Sequence, residues 1–144
     1  MVCYHRVMSL SKELQLGKAG EHLVCFDLIN QGHNAFLADQ GLAYDVLVDM
    51  EGKIKRIQVK TCSMANDHGK SKNVYRFSLR SGKGANRAIN ANKIDYMAFV
   101  FLDIRRVQYI PVNNITSDKG FLKQCIDFRD RGKTKYIINN FSTL

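Results

Sequence analysis

Two stretches of alternating apolar and polar residues, separated by a two-residue turn sequence, constrain the fold of this chain more than any other feature. Residues 43–50 and 53–61 are rich in the β-branched and aliphatic side chains typical of strands, and Glu51-Gly52 stands between them. A turn of two residues determines which residues pair across a hairpin. The pattern therefore predicts a β-hairpin whose register can be counted outward from the turn.

The predicted register brings three polar side chains together. It places Asp45 directly opposite Gln58, and the two-residue period of a strand puts Lys60 on the same face, while Ile57 and Val59 face the other way. Hard oxygen ligands suit Mg²⁺, and a neighbouring lysine can orient or deprotonate an attacking water. The face is a plausible site for phosphate chemistry, although an ordinary solvated face of an edge hairpin fits the spacing equally well.

A long helix is predicted before the hairpin. It covers residues 11–31, with Ser9 or Ser11 as its N-cap and Gly32 just after its end. Glu21 lies on the helix stripe that is predicted to be buried, which is formed by Val24, Cys25 and Leu28. A carboxylate is therefore expected on the core side of the helix.

The rest of the chain predicts a single α/β domain, because 144 residues suit one core. Further strands are predicted at residues 34–38, 74–80, 96–102 and 106–112, with a loop and short helix at 82–92, a short helix at 121–128 and a strand or packed tail at 136–141. We expect a mixed central sheet of about five strands flanked by helices. The core should span about residues 10–112, with residues 113–144 as a C-terminal extension.

The charge distribution indicates a polyanionic partner. Lys and Arg outnumber Asp and Glu by 22 to 13, a net charge of +9, and residues 68–94 contain seven basic residues and no acid. Charge alone does not distinguish DNA from RNA or an anionic membrane, and a merely solvated face is an alternative. The residues predicted to bind DNA phosphates are Lys70, Lys72, Arg76, Arg80, Lys83 and Arg87.

Other classes of site and location receive no support from the sequence. The four cysteines contain no CxxC pair, and the four histidines lack zinc-like spacing. No run approaches the roughly 20 apolar residues of a membrane span. We expect an intracellular, cytoplasmic protein with reduced thiols and no membrane partner.

Three short segments carry a resemblance to a known family. The runs Gly-Lys-Ala-Gly-Glu at 17–21, Tyr-Asp-Val-Leu-Val-Asp at 44–49 and Ile-Gln-Val-Lys-Thr at 57–61 resemble the signature of the PD-(D/E)XK nuclease superfamily. Order and intervals both match. The chain is most similar to intron-associated homing endonucleases and, more distantly, to Holliday junction resolvases. The resemblance implies a restriction-endonuclease-like fold and metal-dependent cleavage of DNA.

The resemblance also implies a role for each site residue. It makes Asp45 the central metal ligand, Glu21 a helix carboxylate that binds or steers a metal, and Lys60 the residue that positions the nucleophilic water. Tyr44 replaces the proline of the family name, which binds no metal. Gln58 replaces the usual second acid; its amide oxygen can still ligate a metal, but with one negative charge fewer the metal affinity should be weaker.

The expected function is site-specific, Mg²⁺-dependent hydrolysis of double-stranded DNA, of homing type, with Mn²⁺ as a substitute ion. One such site cuts one strand, so a duplex substrate implies a homo-oligomer, a dimer or a tetramer. Two alternatives remain open: a Holliday junction resolvase or other structure-specific nuclease, and a nucleic-acid-binding module that has lost catalysis.

Overall fold

The helix and strands are described over residues 11–80 and 88–129 of a computed structural model. In chain order they are α1 (Lys12–Asn30), β1 (Asn34–Leu37), β2 (Val46–Met50), β3 (Lys53–Cys62), β4 (Asn66–His68), β5 (Ser71–Ser78), a 3-10 turn (Ala91–Lys93), β6 (Tyr96–Phe101), β7 (Arg106–Pro111), a second 3-10 turn (Val112–Asn114) and β8 (Cys125–Arg129). Within these residues, no helix is long and apolar enough to cross a membrane.

Helix α1 has the ends that the sequence predicts. The Ser11 hydroxyl accepts a hydrogen bond from the backbone N–H of Leu14 at 3.3 Å, which caps the first turn. Gly32 follows the helix with φ +93°, a left-handed conformation that glycine adopts without steric cost, and its N–H bonds to the carbonyl of Ile29. The observed helix lies within one residue of the predicted one at each end.

Strands β2 and β3 form the predicted hairpin. Met50 pairs with Lys53, as expected for a two-residue turn. Glu51 and Gly52 have φ values of 53° and 86°, and the backbone of such a turn needs positive φ at both central residues. Asp49 accepts a hydrogen bond from the Gly52 N–H at 2.8 Å and so secures the turn. The hairpin prediction is confirmed in position and register.

The hairpin belongs to a five-stranded sheet with the order β1-β2-β3-β6-β7. All pairs are antiparallel except β3 with β6, which is parallel. The connection between β3 and β6 includes β4 and β5, which form the smaller sheet β4-β5-β8 together with β8 from beyond β7. The predicted mixed α/β fold with about five central strands is confirmed.

The two faces of the main sheet are covered by different layers. Helix α1 packs on one face, where the buried side chains include Val24, Leu28, Val46, Val48, Ile57, Val59, Val100 and Tyr109. The small sheet covers the other face through a cluster of aromatic rings in edge-to-face and tilted contacts, made by Tyr75, Phe77, Phe99, Phe101 and Phe128. The strand that was predicted at 74–80 is β5, which begins and ends earlier.

The short helix predicted at residues 121–128 is wrong. Cys125–Arg129 is strand β8, in which Ile126 and Phe128 are buried while their neighbours are more exposed. Strand β8 pairs antiparallel with β5. Apolar residues in so short a run fit a helix or a strand, and the pairing partner decides between them.

Several other predictions lie wholly or partly outside the described residues. These include the segment at 136–141 and most of the loop and helix at 82–92, of which residues 91–93 form a 3-10 turn. The division into a core and a C-terminal extension stays a prediction.

Candidate active site

Asp45 is held at the point where β2 begins. Its backbone N–H bonds to the carbonyl of Ile57 at 2.9 Å. Its Oδ2 accepts hydrogen bonds from the N–H of Val59 at 2.8 Å and from Nε2 of Gln58 at 2.6 Å. The predicted meeting of Asp45 with Gln58 therefore occurs, and the carboxylate is fixed over β3 by two donors.

Lys60 lies two residues beyond Gln58, on the same face of β3. Its Nζ donates a hydrogen bond to the backbone carbonyl of Arg80 at 2.8 Å. Burial lowers the pKa of Lys60 from its usual 10.5, and the negative charge of Asp45 partly opposes that shift. The Lys60 ammonium is thus half-buried, interacts electrostatically with Asp45, and is anchored to the segment that follows β5.

Glu21 reaches the site from α1. The helix approaches β3 closely at Gly20, where an added Cβ would stand 1.8 Å from Oγ1 of Thr61. Burial raises the pKa of Glu21 above its usual 4.5, and the charge of Asp45 raises it further, against the nearby positive charges of Lys18 and His22. The negative charge of Asp45, at the start of the hairpin, therefore acts on the helix carboxylate Glu21.

The pKa of Asp45 is also raised from its usual 3.8. Burial is the main cause, and it outweighs the Val59 N–H bond and the charge of Lys60, which both lower the pKa. The ionised carboxylate is consequently under-compensated by its protein partners. A bound cation would supply the missing positive charge.

A cavity of about 290 Å³ opens beside the two carboxylates. It lies between α1 and the segment that joins β1 to β2, and Glu21, Asp45, Tyr44, Lys18 and His22 are among its lining residues. Lys18 and His22 are not among the site residues that the sequence pattern predicts. Lys18 stands three residues before Glu21, a helical spacing that puts both on one side of the helix and could have revealed it.

The donor set suits Mg²⁺ better than a transition metal. Among the described residues, no group of three or more His, Cys, Asp or Glu side chains is placed to hold a metal. The site offers two carboxylates and the amide oxygen of Gln58, and Mg²⁺ typically takes one or two carboxylates and keeps several waters. The NH₂ group of Gln58 faces Asp45, so its Oε1 is the atom left for a cation.

The residues predicted to bind DNA are spread along the small sheet. Lys70 lies in the turn before β5 and Lys72 near the start of the strand. At about 3.3 Å per residue, the extended chain puts Lys72 about 26 Å from Arg80. Lys72 pairs with Asp67 at 3.1 Å, and Arg76 makes two hydrogen bonds to Asp127 at 2.7 and 2.8 Å. Arg80 alone of these four adjoins the catalytic candidates; Lys83 and Arg87 lie outside the described residues.

The fold is shared with a solved nuclease. The structure of a bacterial homing endonuclease, I-Ssp6803I, matches with a TM-score of 0.63 at 18% sequence identity, covering 93% of this chain and 86% of that chain. Hjc, a Holliday junction resolvase from Archaeoglobus fulgidus, matches with a TM-score of 0.48 at 12% identity, covering 79% and 84%. Comparison with curated protein sequences gives no match.

The family is established at the level of sequence. A profile of PD-(D/E)XK endonucleases matches residues 11–138, which include every described element and all four candidate catalytic residues. The catalytic roles of Glu21, Asp45, Gln58 and Lys60 stay predictions, since the match gives the family and not the role of any residue. This chain belongs to the PD-(D/E)XK endonuclease family.

Proposed function

We propose that the protein is a Mg²⁺-dependent endonuclease that hydrolyses phosphodiester bonds in double-stranded DNA at specific sites, as a homing endonuclease does. One observation carries the proposal: Glu21 and Asp45 face one cavity with raised pKa values, and Asp45 contacts Gln58 two residues from Lys60. Burying two carboxylates and a lysine lowers the stability of the fold, so stability does not explain why these residues lie here. They are expected where phosphate chemistry requires them.

The chain would hold Mg²⁺ with Asp45, supported by Glu21 and by Oε1 of Gln58. When bound, the ion supplies Lewis-acid polarisation of the scissile phosphate and a lower pKa for water. The Val59 N–H and the Gln58 NH₂ keep Oδ2 of Asp45 in place, so the carboxylate is positioned before substrate arrives. A ligand held in this way needs little reorganisation.

Lys60 would position the attacking water. Its Nζ is anchored by the carbonyl of Arg80, and burial keeps its pKa below the usual value. A lysine with a lowered pKa can give up its proton more readily and then accept one from water at Nζ. As an ammonium, the same group offsets negative charge on the phosphate.

The proposal extends to substrate, assembly and location. The net charge of +9 supports a polyanionic substrate, and one such site cuts one strand, so duplex cleavage requires a dimer or a tetramer. The homing type rests on the sequence resemblance and on the name of the solved nuclease with this fold. An intracellular location, where DNA is found, is part of the proposal.

Cleavage of a supercoiled plasmid tests the proposal. We expect the wild-type protein to cut with Mg²⁺ or Mn²⁺ and not with a chelator. Asp45→Asn and Lys60→Ala should each reduce cleavage at least about 100-fold, the scale of removing one transition-state contact, while Glu21→Gln should be damaging but less complete. Gel-shift binding in Ca²⁺ serves as the folding control, and full cleavage by Asp45→Asn would refute the assignment.

A second function, DNA binding without catalysis, is favoured by one observation. Gln58 stands where the family has an acid, and its NH₂ group donates to Asp45. In that case the wild-type protein would bind duplex DNA with the same affinity as Asp45→Asn and leave the plasmid uncut at every Mg²⁺ concentration. Parallel assays on four-way junctions would reveal a preference for branched DNA.

A further inference from the structure

A second cleft adjoins the active site on the side of the small sheet. It has a volume of about 560 Å³ and lies between residues 88–92 and 120–124, with Leu79 and Arg80 as its third wall. We call it the Phe121 cleft. The mechanism proposed above does not use it.

The walls of the Phe121 cleft are fixed by backbone hydrogen bonds. Arg80 forms a bridge with Ala88, and the Leu79 N–H bonds to the carbonyl of Gln124 at 2.9 Å. The turn before Phe121 is closed by the Ser117 N–H, which donates to the Phe121 carbonyl at 2.7 Å. A ligand would therefore bind to a cleft whose walls are already in place.

The chemistry of the lining suits nucleic-acid bases. Phe121 exposes 71% of its surface, an unusual fraction for a large aromatic ring. Asn92 is also exposed, and its side chain makes no hydrogen bond to any described residue. Amide side chains can pair with base edges, and aromatic rings stack on bases or wedge between them.

Charge and position both favour DNA as the occupant. The described lining residues include Arg80 and Lys123 and no carboxylate. Arg80 belongs to both sites: its side chain bonds to Oε1 of Gln124 at 2.9 Å in the cleft, and its carbonyl accepts Nζ of Lys60 at 2.8 Å. DNA at the catalytic lysine can thus continue directly into the cleft.

We propose that the Phe121 cleft contacts the bases next to the scissile phosphate, and that Asn92 and Phe121 contribute to the choice of cleavage sequence. The inference rests on the proposed function. It adds a base-reading surface to a site whose proposed residues, Asp45 and Lys60, act at the phosphate.

Photocrosslinking tests the contact without requiring catalysis. The full-length protein is bound in Ca²⁺ to random-sequence duplexes that carry 5-iodouracil, irradiated, and analysed by peptide mass spectrometry. We expect a crosslinked peptide containing Phe121, lost in Phe121→Ala and retained in Phe26→Ala, a matched variant on α1 whose ring is 65% exposed. Crosslinks confined to other peptides, or no DNA binding at all, would overturn the inference.

Sequencing of cut ends from a random library tests the reading of bases. Asn92→Ala and Phe121→Ala should reduce the preference among bases beside the cut about tenfold, while still nicking plasmid. Asn30→Ala, an exposed amide on α1, is the matched control. Unchanged preference in both cleft variants would overturn the base-reading role. If the wild-type protein binds DNA but does not cut, the proposed function fails, and the crosslink still decides the contact.

Discussion

Gln58 is the residue that most separates this site from a two-acid metal site. An amide oxygen is a neutral ligand, so the site holds one negative charge fewer than its family's motif provides. The raised pKa values of Glu21 and Asp45 indicate that the two remaining carboxylates are already poorly compensated. We therefore expect the residue at position 58 to affect the strength of metal binding.

Gln58→Glu should restore the usual acid and lower the Mg²⁺ concentration needed for half-maximal cleavage, by about tenfold if the added charge contributes about 1.4 kcal/mol to binding. Cleavage itself should survive. A Mg²⁺ titration of plasmid nicking measures the shift, with Asn30→Asp, at the exposed end of α1, as a control for added negative charge outside the carboxylate site. Loss of cleavage by Gln58→Glu would mean that the amide has a specific role.

Asp45 also links function to stability. Because its pKa is raised in the folded protein, the folded chain binds this proton more tightly than the unfolded chain does. Ionisation of Asp45 thus reduces the free energy of unfolding as the pH rises above 3.8. The reduction is complete once the pH is above the raised pKa of the folded protein. Protonation of Asp45 therefore stabilises the fold, whereas the proposed metal binding requires the ionised carboxylate.

Asp45→Asn should therefore raise the melting temperature by a few degrees in metal-free buffer at neutral pH, although we expect it to reduce cleavage strongly. The difference from wild type should shrink as the pH falls through the raised pKa. Differential scanning fluorimetry across pH measures it, with Asp118→Asn as an exposed control. A melting temperature of Asp45→Asn below that of the wild type at neutral pH would show that the hydrogen bonds to Asp45 stabilise the fold more than burial of its charge destabilises it.

At the scale of elements, the contact of α1 with β3 places Glu21. Gly20 lies against Thr61, whereas Gly17 in the same helix has nothing within 4 Å of the position of a Cβ. The absence of a side chain at Gly20 lets the helix approach the strand, one residue from Glu21, the proposed catalytic carboxylate. The close contact between Gly20 and Thr61 therefore packs α1 on the sheet and also positions Glu21.

Gly20→Ala should destabilise the protein by about 1–3 kcal/mol, the usual cost of overpacking, and should reduce cleavage by displacing Glu21. Gly17→Ala is the matched control and should stabilise by about 0.5–1 kcal/mol, because alanine is the better helix former. Chemical denaturation measures both. Thr61→Ala should partly rescue Gly20→Ala, and a harmless Gly20→Ala would contradict the tight contact.

Strand β8 changes the charge of the surface that β5 presents. The basic residues of β5 were interpreted as a phosphate-binding surface, since no acid stands among them in the sequence. In the fold, β8 brings Asp127 opposite Arg76, so part of that charge is balanced. An exposed pair of this kind contributes little to stability, but it reduces the positive charge that the β5 surface offers to DNA phosphates.

At the scale of the whole molecule, the positive charge should dominate DNA affinity. Each neutralised phosphate contributes about −0.9 to the slope of log K against log salt. Lys70→Ala should make that slope shallower by about 0.9 if Lys70 contacts a phosphate. The charge-neutral double variant Arg76→Ala with Asp127→Ala should change it less. Fluorescence anisotropy at several salt concentrations gives both slopes, and a flat wild-type dependence would exclude a phosphate-binding surface.

Local patterns in the sequence were sufficient for the hairpin, for α1 and for the meeting of Asp45 with Gln58. A two-residue turn and a two-residue strand period relate residues only a few positions from the turn, and a helix stripe is equally local. These features follow from the backbone geometry of neighbouring residues, and the motif residues could be placed on them before any tertiary contact was known.

Only the tertiary structure decided the partners that lie far apart in the chain. The Arg80 carbonyl that anchors Lys60 is 20 positions away, and Asp127 is 51 positions from Arg76. No periodicity encodes such distances. They depend on which sheet packs on which face, and burial of the aromatic cluster between the two sheets is what brings β5 and β8 to the edge of the active site.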